Sequence, residues 1–297
     1  MTLATTKPGE IGQLAAAAIR EALTKATALA NISTYIEAAS PLRWDVIADA
    51  GWDLVGVKED EDSATLRDLV EIAKAWGEIS IQLPLIPSIL AKRHSPNAAE
   101  HDGPVTFSIG TQSLPSGWGM VPFGQISGIA IAASIGLRDD ELRDNGSVTA
   151  DTFAPSLLTA QVPFVSTFTA DAAREICVVW AAEASGVAKR AVTDAVSYAK
   201  QRMQFGKPIG SFQAVKHHLA NAHLAVEQAE TAAIWGSLDS DNAHRSAGHA
   251  FNQCIKAIEL AIQVHGGLGF TWEMGLHFSL RHVIALREMA RGLRSDA

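Results

Sequence analysis

Arg202-Met203-Gln204-Phe205-Gly206-Lys207-Pro208-Ile209-Gly210-Ser211-Phe212-Gln213, together with Gln263-Val264-His265-Gly266-Gly267-Leu268-Gly269-Phe270, decides how this chain reads. Each stretch comes after a long amphipathic helical pattern. The first joins a cation, an aromatic ring and a Gly-Lys-Pro turn. The second is a helix end that breaks into a Gly-Gly-x-Gly bend. Taken bare, both are ordinary. An arginine in a last helical turn complements the helix dipole, and glycines after a helix are usual C-caps. Specificity comes from the full run: Tyr198, Ala199 and Lys200 ahead of Arg202, Phe212-Gln213 behind the turn, and Gln263 at its spacing before Gly266-Gly267.

Working outward, helical periodicity is strong from residue 171 on. It predicts helices over Asp171–Arg202, Phe212–Leu238, Asp241–His265 and Glu273–Arg291, with Ser211 and Asp239 or Ser240 as N-caps. Four helices with short connections make an up-down bundle over 171–297. Residues 1–95 also read as helical. Glu10–Ala28 is amphipathic, and Leu42–Ala50 is a short helix closed by Gly51. Ala64–Gly77 places Leu66, Leu69, Val70, Ile72, Ala73 and Trp76 close to helical spacing. Pro84, Pro87 and Pro96 break the chain beyond that helix. Between 96 and 170 the helical period fades, and Gly103, Pro104, Gly110, Pro115, Gly117 and their successors punctuate short apolar runs. Val105–Ile109, Ile126–Ser134 and Ala160–Thr169 are predicted strands of a small, mostly antiparallel β-domain. The fold class is therefore mainly α, with an N-terminal helical domain, a small reduced β-domain and a C-terminal four-helix bundle.

Composition narrows the function classes. At 297 residues the chain can bury a large core. It is 47% hydrophobic, with mean hydropathy +0.11, yet no apolar run approaches the roughly 20 residues of a membrane helix. The excess comes largely from alanine, as in closely packed helices or subunit interfaces. The first residues lack a basic region followed by an apolar core, so no signal peptide is expected. Cys177 and Cys254 sit in helical patterns and read as reduced core residues of a cytoplasmic protein. A net charge of −8 argues against a nucleic-acid partner, although local cations can still hold an anionic ligand. His217, His218 and His223 fall near one helical face. With no matching carboxylate or cysteine set, they read as ordinary surface or interface histidines, and no metal is expected. The seven tryptophans read as core or interface residues, and Lys58 to Asp62 as a solvated loop.

The two runs resemble the C-terminal helical domain of the acyl-CoA dehydrogenase family, and Leu42-Arg43-Trp44 with Ile47, Ala48, Ala50 and Gly51 resembles that family's N-terminal helical domain. The resemblance implies FAD. Arg202 would pair with its pyrophosphate, a forked guanidinium suiting two phosphate oxygens, and Phe205 would pack nearby. Gln213, Gln263, Gly266 and Gly267 would complete the ADP side, the glycines allowing close backbone approach. In the family the Gly-Gly turn comes from the neighbouring subunit, so the FAD is shared across a subunit interface. The family's Thr-Glu-x-x-x-Gly-Ser-Asp and Trp-Ile-Ser/Thr segments, which hold the flavin ring and the thioester, are absent between residues 96 and 170. Dehydrogenation removes an α-proton from the acyl thioester while hydride leaves the β-carbon for flavin N5. The family's glutamate base falls, by ungapped counting, at Ala290 in most members and Ile176 in a minority. Glu288 and Glu175 lie close by, but an offset of one or two residues turns a side chain by about 100° or 200°. No catalytic residue is therefore assigned, and these two are weak candidates only.

Altogether the chain resembles the short non-catalytic subunit of heterotetrameric (α2β2) acyl-CoA dehydrogenases of the actinobacterial steroid side-chain type. It would contribute the ADP-side half of the FAD site in lipid metabolism, by β-oxidation or steroid degradation. A full-length paralogue would supply the flavin-ring pocket, the base and most of the acyl-CoA contact, with an electron-transfer flavoprotein as acceptor. The alternatives are a stand-alone acyl-CoA dehydrogenase using Glu288 or Glu175 as a displaced base, and a flavin-free scaffold subunit.

Overall fold

The computed structural model describes residues 6–27, 32–37, 40–58, 63–137, 140–146 and 148–293. Among these, six helices come first: α1 (Glu10–Thr27), α2 (Ile32–Glu37), α3 (Trp44–Asp49), α4 (Leu66–Gly77), α5 (Leu85–His94) and α6 (Pro96–Glu100). Nine short strands come next: β1 (Val105–Phe107), β2 (Ile109–Gly110), β3 (Gly119–Val121), β4 (Ala130–Ala132), β5 (Ser134–Ile135), β6 (Leu142–Asp144), β7 (Thr149–Ala150), β8 (Ala160–Val162) and β9 (Thr167–Phe168). Then come α7 (Ala170–Gln201), a small hairpin of β10 (Met203–Gln204) and β11 (Lys207–Pro208), α8 (Gln213–Leu238), α9 (Ala243–His265) and α10 (Leu276–Gly292). The class is mainly α, as the periodicity predicts.

Several expectations need correction. The prolines do not break the chain after residue 84. Pro84 is the N-cap of α5 and Pro87 lies in its first turn, where backbone N–H groups have no intrahelical partner. Pro96 likewise opens α6, with the Ser95 side chain accepting from the Ala98 N–H. The helix predicted over Leu42–Ala50 is shorter, and the one predicted from Ala64 begins at Leu66, where Thr65 and Asp68 form a capping box. Ser211 is not an N-cap, because a 3-10 turn over Ile209–Ser211 leaves Phe212 in that position without a side-chain cap. Asn242, rather than Asp239 or Ser240, precedes α9, although the Asp239 carboxylate accepts from the Asp241 and Asn242 N–H groups. Ala28 and residues 59–62 of the predicted loop lie outside the described residues.

The strands are shorter and more numerous than the apolar runs suggest. One sheet has the order β1-β4-β6 and another β2-β3-β8-β7. Most pairings are antiparallel, but β1 pairs with β4, and β5 with β9, in parallel.

The core runs through all three parts of the chain, with α7 as its axis. Twenty of its residues are buried, mostly Ala and Val, so neighbouring helices approach closely. The α4–α7 crossing is a close backbone approach. A Cβ on Gly186 would stand 2.2 Å from the Lys74 carbonyl oxygen, and one on Gly77 would stand 2.1 Å from the Glu183 carbonyl oxygen. Phe107 joins the β-region to α7 through Trp180, with ring centroids 5.7 Å apart. Helix α8 is inverted in character. It buries Ala222, Ala225, Val226, Ala229, Ala233 and Gly236 and leaves Leu224 and Trp235 exposed.

Candidate functional site

Helix α7 ends because Arg202 leaves helical geometry, its own N–H donating to the Tyr198 carbonyl at 2.8 Å. The chain then turns back through a two-residue hairpin. Phe205 and Gly206 have φ of +52° and +77°, the pattern of a turn that suits strand twist but ordinarily selects glycine or asparagine. Phe205 is 89% exposed, its ring meeting Phe212 edge-on at 6.0 Å. The Lys207 ammonium sits 4.4 Å over the Phe212 ring. The Ile209 N–H donates to the Arg202 carbonyl at 2.8 Å and closes the loop. The Arg202 guanidinium is exposed and has no hydrogen-bond or ion-pair partner among the described residues. Gln213, the first residue of α8, is also exposed.

Helix α9 ends alongside. Gly266 takes φ +61° and ψ −138°, a backbone region essentially confined to glycine. The next glycines differ in role. A Cβ on Gly267 would meet nothing within 4 Å, so its outer face is open, whereas one on Gly269 would strike the Ile262 carbonyl oxygen at 2.6 Å. Gly267 is thus free to receive a group from outside, and Gly269 is required by the turn itself. Gln263 is exposed one turn earlier, and its carbonyl accepts the Gly266 N–H. His265 lies between them, buried, with Nδ1 2.8 Å from the Ala261 carbonyl and Nε2 without a partner among the described residues. Its ring stacks on Tyr198 with centroids 4.4 Å apart and planes 23° apart. The two helix ends singled out in the sequence are therefore joined by a direct ring contact. An unpaired fork of N–H donors and an open glycine backbone, each just beyond one of these joined helix ends, suit an anionic group with two phosphates. These residues fit the diphosphate end of a dinucleotide.

The carboxylates near the expected base positions sit in different surroundings. Ile176 and Ala290 are buried in the core, where the Cys177 thiol next to Ile176 donates to the Ala290 carbonyl at 3.4 Å. Glu175 is buried against two cations and a histidine: Arg93 Nε at 2.6 Å, Lys58 Nζ at 3.6 Å and His94 Nε2 at 3.0 Å. Burial alone would raise its pKa, but the hydrogen bonds and charges of His94 and Arg93 outweigh it and hold the carboxyl at about 2. A carboxylate so held is a weak proton acceptor. Glu288 is half-exposed and paired with Arg291 at 2.8 Å and Arg287 at 3.1 Å. It lines an open cleft of about 220 Å³ between the β-region and α10, with Thr111, Met120, Asp151, Phe153 and Met289.

Sequence reasoning missed this cleft because its walls lie more than 100 residues apart in the chain. It also missed what holds the wall at 151–159. Arg281 donates to the Phe153 and Thr152 carbonyls. The neighbouring His282 bridges Ser156 Oγ at 2.9 Å and Glu183 Oε1 at 3.3 Å, all three residues buried.

Comparisons with known proteins bear on the fold and on residues 177–290. Residues 177–290 match the family described as acyl-CoA dehydrogenase, C-terminal domain. Acyl-CoA dehydrogenase FadE34 of Mycobacterium tuberculosis is 48% identical over 113 residues, covering 35% of this chain and 16% of FadE34. Acyl-CoA dehydrogenase IpdE2 of the same organism is 38% identical over 128 residues, covering 40% of each protein. The match therefore spans less than half the length of these relatives. Among solved structures, a chain of the ChsE4–ChsE5 complex from M. tuberculosis superposes with a TM-score of 0.75 at 18% identity, covering 97% of this chain and 96% of that one. A chain of the Tcur3481–Tcur3483 steroid ACAD gives 0.73 at 18% identity, covering 96% of each. These likenesses establish the fold, and over residues 177–290 the resemblance to the acyl-CoA dehydrogenase family is borne out.

Proposed function

We propose that this chain, whose residues 177–290 carry an acyl-CoA dehydrogenase C-terminal domain, is the short subunit of a heteromeric, FAD-dependent acyl-CoA dehydrogenase. Its Arg202, Phe205, Gln213, Gln263, Gly266 and Gly267 contribute the ADP side of a FAD site shared with a full-length paralogue, which brings the ring pocket and the base. Bound FAD supplies the hydride acceptor for α,β-dehydrogenation of an acyl-CoA thioester. The observation that carries this reading is asymmetry. The unpaired Arg202 guanidinium and the open Gly266–Gly267 turn follow two helix ends joined by the Tyr198–His265 contact, while Ile176 and Ala290 occupy the positions where a base is expected and Glu175 is locked against Arg93. On this reading Arg202 holds phosphate oxygens, the glycines let the nucleotide approach, and the exposed Phe205 shields it from water.

Two further observations favour a heteromer. Helix α8 turns its large side chains outward, as a helix does when it packs against another subunit. The fold neighbours include a chain from a two-component complex and one described as a steroid ACAD. By that analogy the assembly is α2β2, the substrate is a steroid side-chain CoA thioester met mainly by the paralogue, and the electrons pass to an electron-transfer flavoprotein. Coexpression with the nearest full-length paralogue tests this. A yellow, active complex that loses FAD when this chain carries Arg202→Ala supports the shared site. FAD content indifferent to Arg202 makes the chain a scaffold.

One observation favours a second reading. Glu288 lines a cleft between the β-region and α10, as a displaced base would. Flavin binding and dye reduction by acyl-CoA with this chain alone, both lost in Glu288→Gln, would establish a stand-alone enzyme.

A further inference from the structure

Arg202 and Gly266 are 64 positions apart in the sequence, on turns of different helices. Each turn is short and exposed, and neither has a hydrophobic core of its own. A diphosphate site built from both needs their separation fixed to within about half an ångström to keep a charged fork and a backbone approach in register. One aromatic contact is placed to do this.

Tyr198 is coupled to Arg202 through the main chain, because its carbonyl accepts the Arg202 N–H at 2.8 Å. His265 immediately precedes Gly266, and the turn curls back on it. A Cβ on Gly269 would lie 3.2 Å from the His265 Cβ. The two rings lie face to face at 4.4 Å. The Ala261 carbonyl at 2.8 Å from Nδ1 fixes the histidine ring orientation and makes Nδ1 the donor. Nε2 is buried with no partner among the described residues. An unpaired buried nitrogen is unfavourable, so the Nε2 side of the ring is not what suits this side chain to its place. Its flat ring is.

We propose that Tyr198 and His265 are positioning residues of the nucleotide site. Their ring stack holds the Arg202 guanidinium at a fixed distance from the Gly266–Gly267 backbone, so that both meet one diphosphate. This inference rests on the shared-site reading above and adds to it the part that makes the two halves of the motif one rigid cradle. Tyr198 and His265 need not touch the nucleotide.

The test uses the coexpressed heteromeric complex, stripped of flavin and titrated with FAD and, separately, with ADP. His265→Ala removes the stack, and His265→Phe keeps a flat ring while deleting both nitrogens. The expected result is a loss of affinity of roughly tenfold or more for FAD and for ADP alike in His265→Ala, with recovery in His265→Phe. Native mass of the nucleotide-free complex should be unchanged; His265→Ala opens a small cavity and lowers the melting temperature somewhat, so affinities are compared well below the transition, where a merely structural defect would leave them at the wild-type value. Tyr198→Leu tests the same contact from the other ring where His265→Ala impairs assembly, and the same loss is expected. Wild-type affinity in His265→Ala or Tyr198→Leu overturns the inference. So does equal loss in His265→Ala and His265→Phe, which would assign the effect to the nitrogens. Arg202→Ala separates the two levels. If it weakens FAD while His265→Ala does not, only the positioning role falls. If it has no effect, the shared site itself falls.

Discussion

Glu175→Gln removes one charge from the buried cluster that ties α5 to α7. The wild-type carboxyl is held at about 2 against an ordinary value of 4.5. A displacement of that size corresponds to about 3 kcal/mol of folding stability at neutral pH. The depressed value sets the sign. The contribution is complete above pH 4.5 and is lost as pH falls from there toward 2, so about 2 kcal/mol of it should be gone by pH 3. The glutamine also leaves Arg93 without its buried counter-ion and His94 without a carboxylate partner, although Arg93 keeps the Gly56 and Ala64 carbonyls, both 2.9 Å from Nη1. At pH 7 the variant should therefore be about 3 kcal/mol less stable, at the lower end for a broken buried pair. Urea titrations at closely spaced pH values from 7 to 3 measure both effects. Wild type should weaken toward pH 3, and the variant should start lower and show a shallower acid slope. A variant within about 1 kcal/mol of wild type at pH 7, with the acid slope intact, would refute the view of Glu175 as an ion-pair clamp.

Other perturbations address separate parts of the account. Gly186→Ala forces a Cβ to 2.2 Å from the Lys74 carbonyl. It should lower stability by about 3 kcal/mol or more or prevent folding, as read by thermal melting. Phe205→Asn relieves left-handed strain and an exposed ring, so it should raise the stability of the isolated chain by about 1 kcal/mol while lowering FAD retention in the complex. His282→Leu leaves buried Glu183 and Ser156 without this shared partner, for a loss of roughly 1–3 kcal/mol in chemical denaturation.

The sequence was informative where periodicity and local chemistry agree. The bundle helices lie within two or three residues of their predicted limits because α9 and α10 bury one regular face each, while α7 is buried on all sides from Glu175 to Ala188. The strands were harder. Runs of two or three residues such as β2 and β5 are too short to show alternation, and their pairing depends on distant partners. Helix α5 was hidden because Pro84 and Pro87 read as breakers, whereas the start of a helix tolerates them. At the candidate site, Arg202, Gly266 and Gly267 could be picked from local motifs. The Tyr198–His265 contact and the Ser156–His282–Glu183 bridge join residues 67 to 126 positions apart, and no local pattern encodes such pairs.

The shared nucleotide site is tested most directly by the flavin content of the heteromeric complex with Arg202→Ala in this chain alone. The account predicts an assembly of unchanged mass whose FAD is weakened by roughly tenfold or more, as expected for a lost charge-assisted phosphate contact. A complex of unchanged mass with full FAD occupancy and wild-type affinity would contradict it.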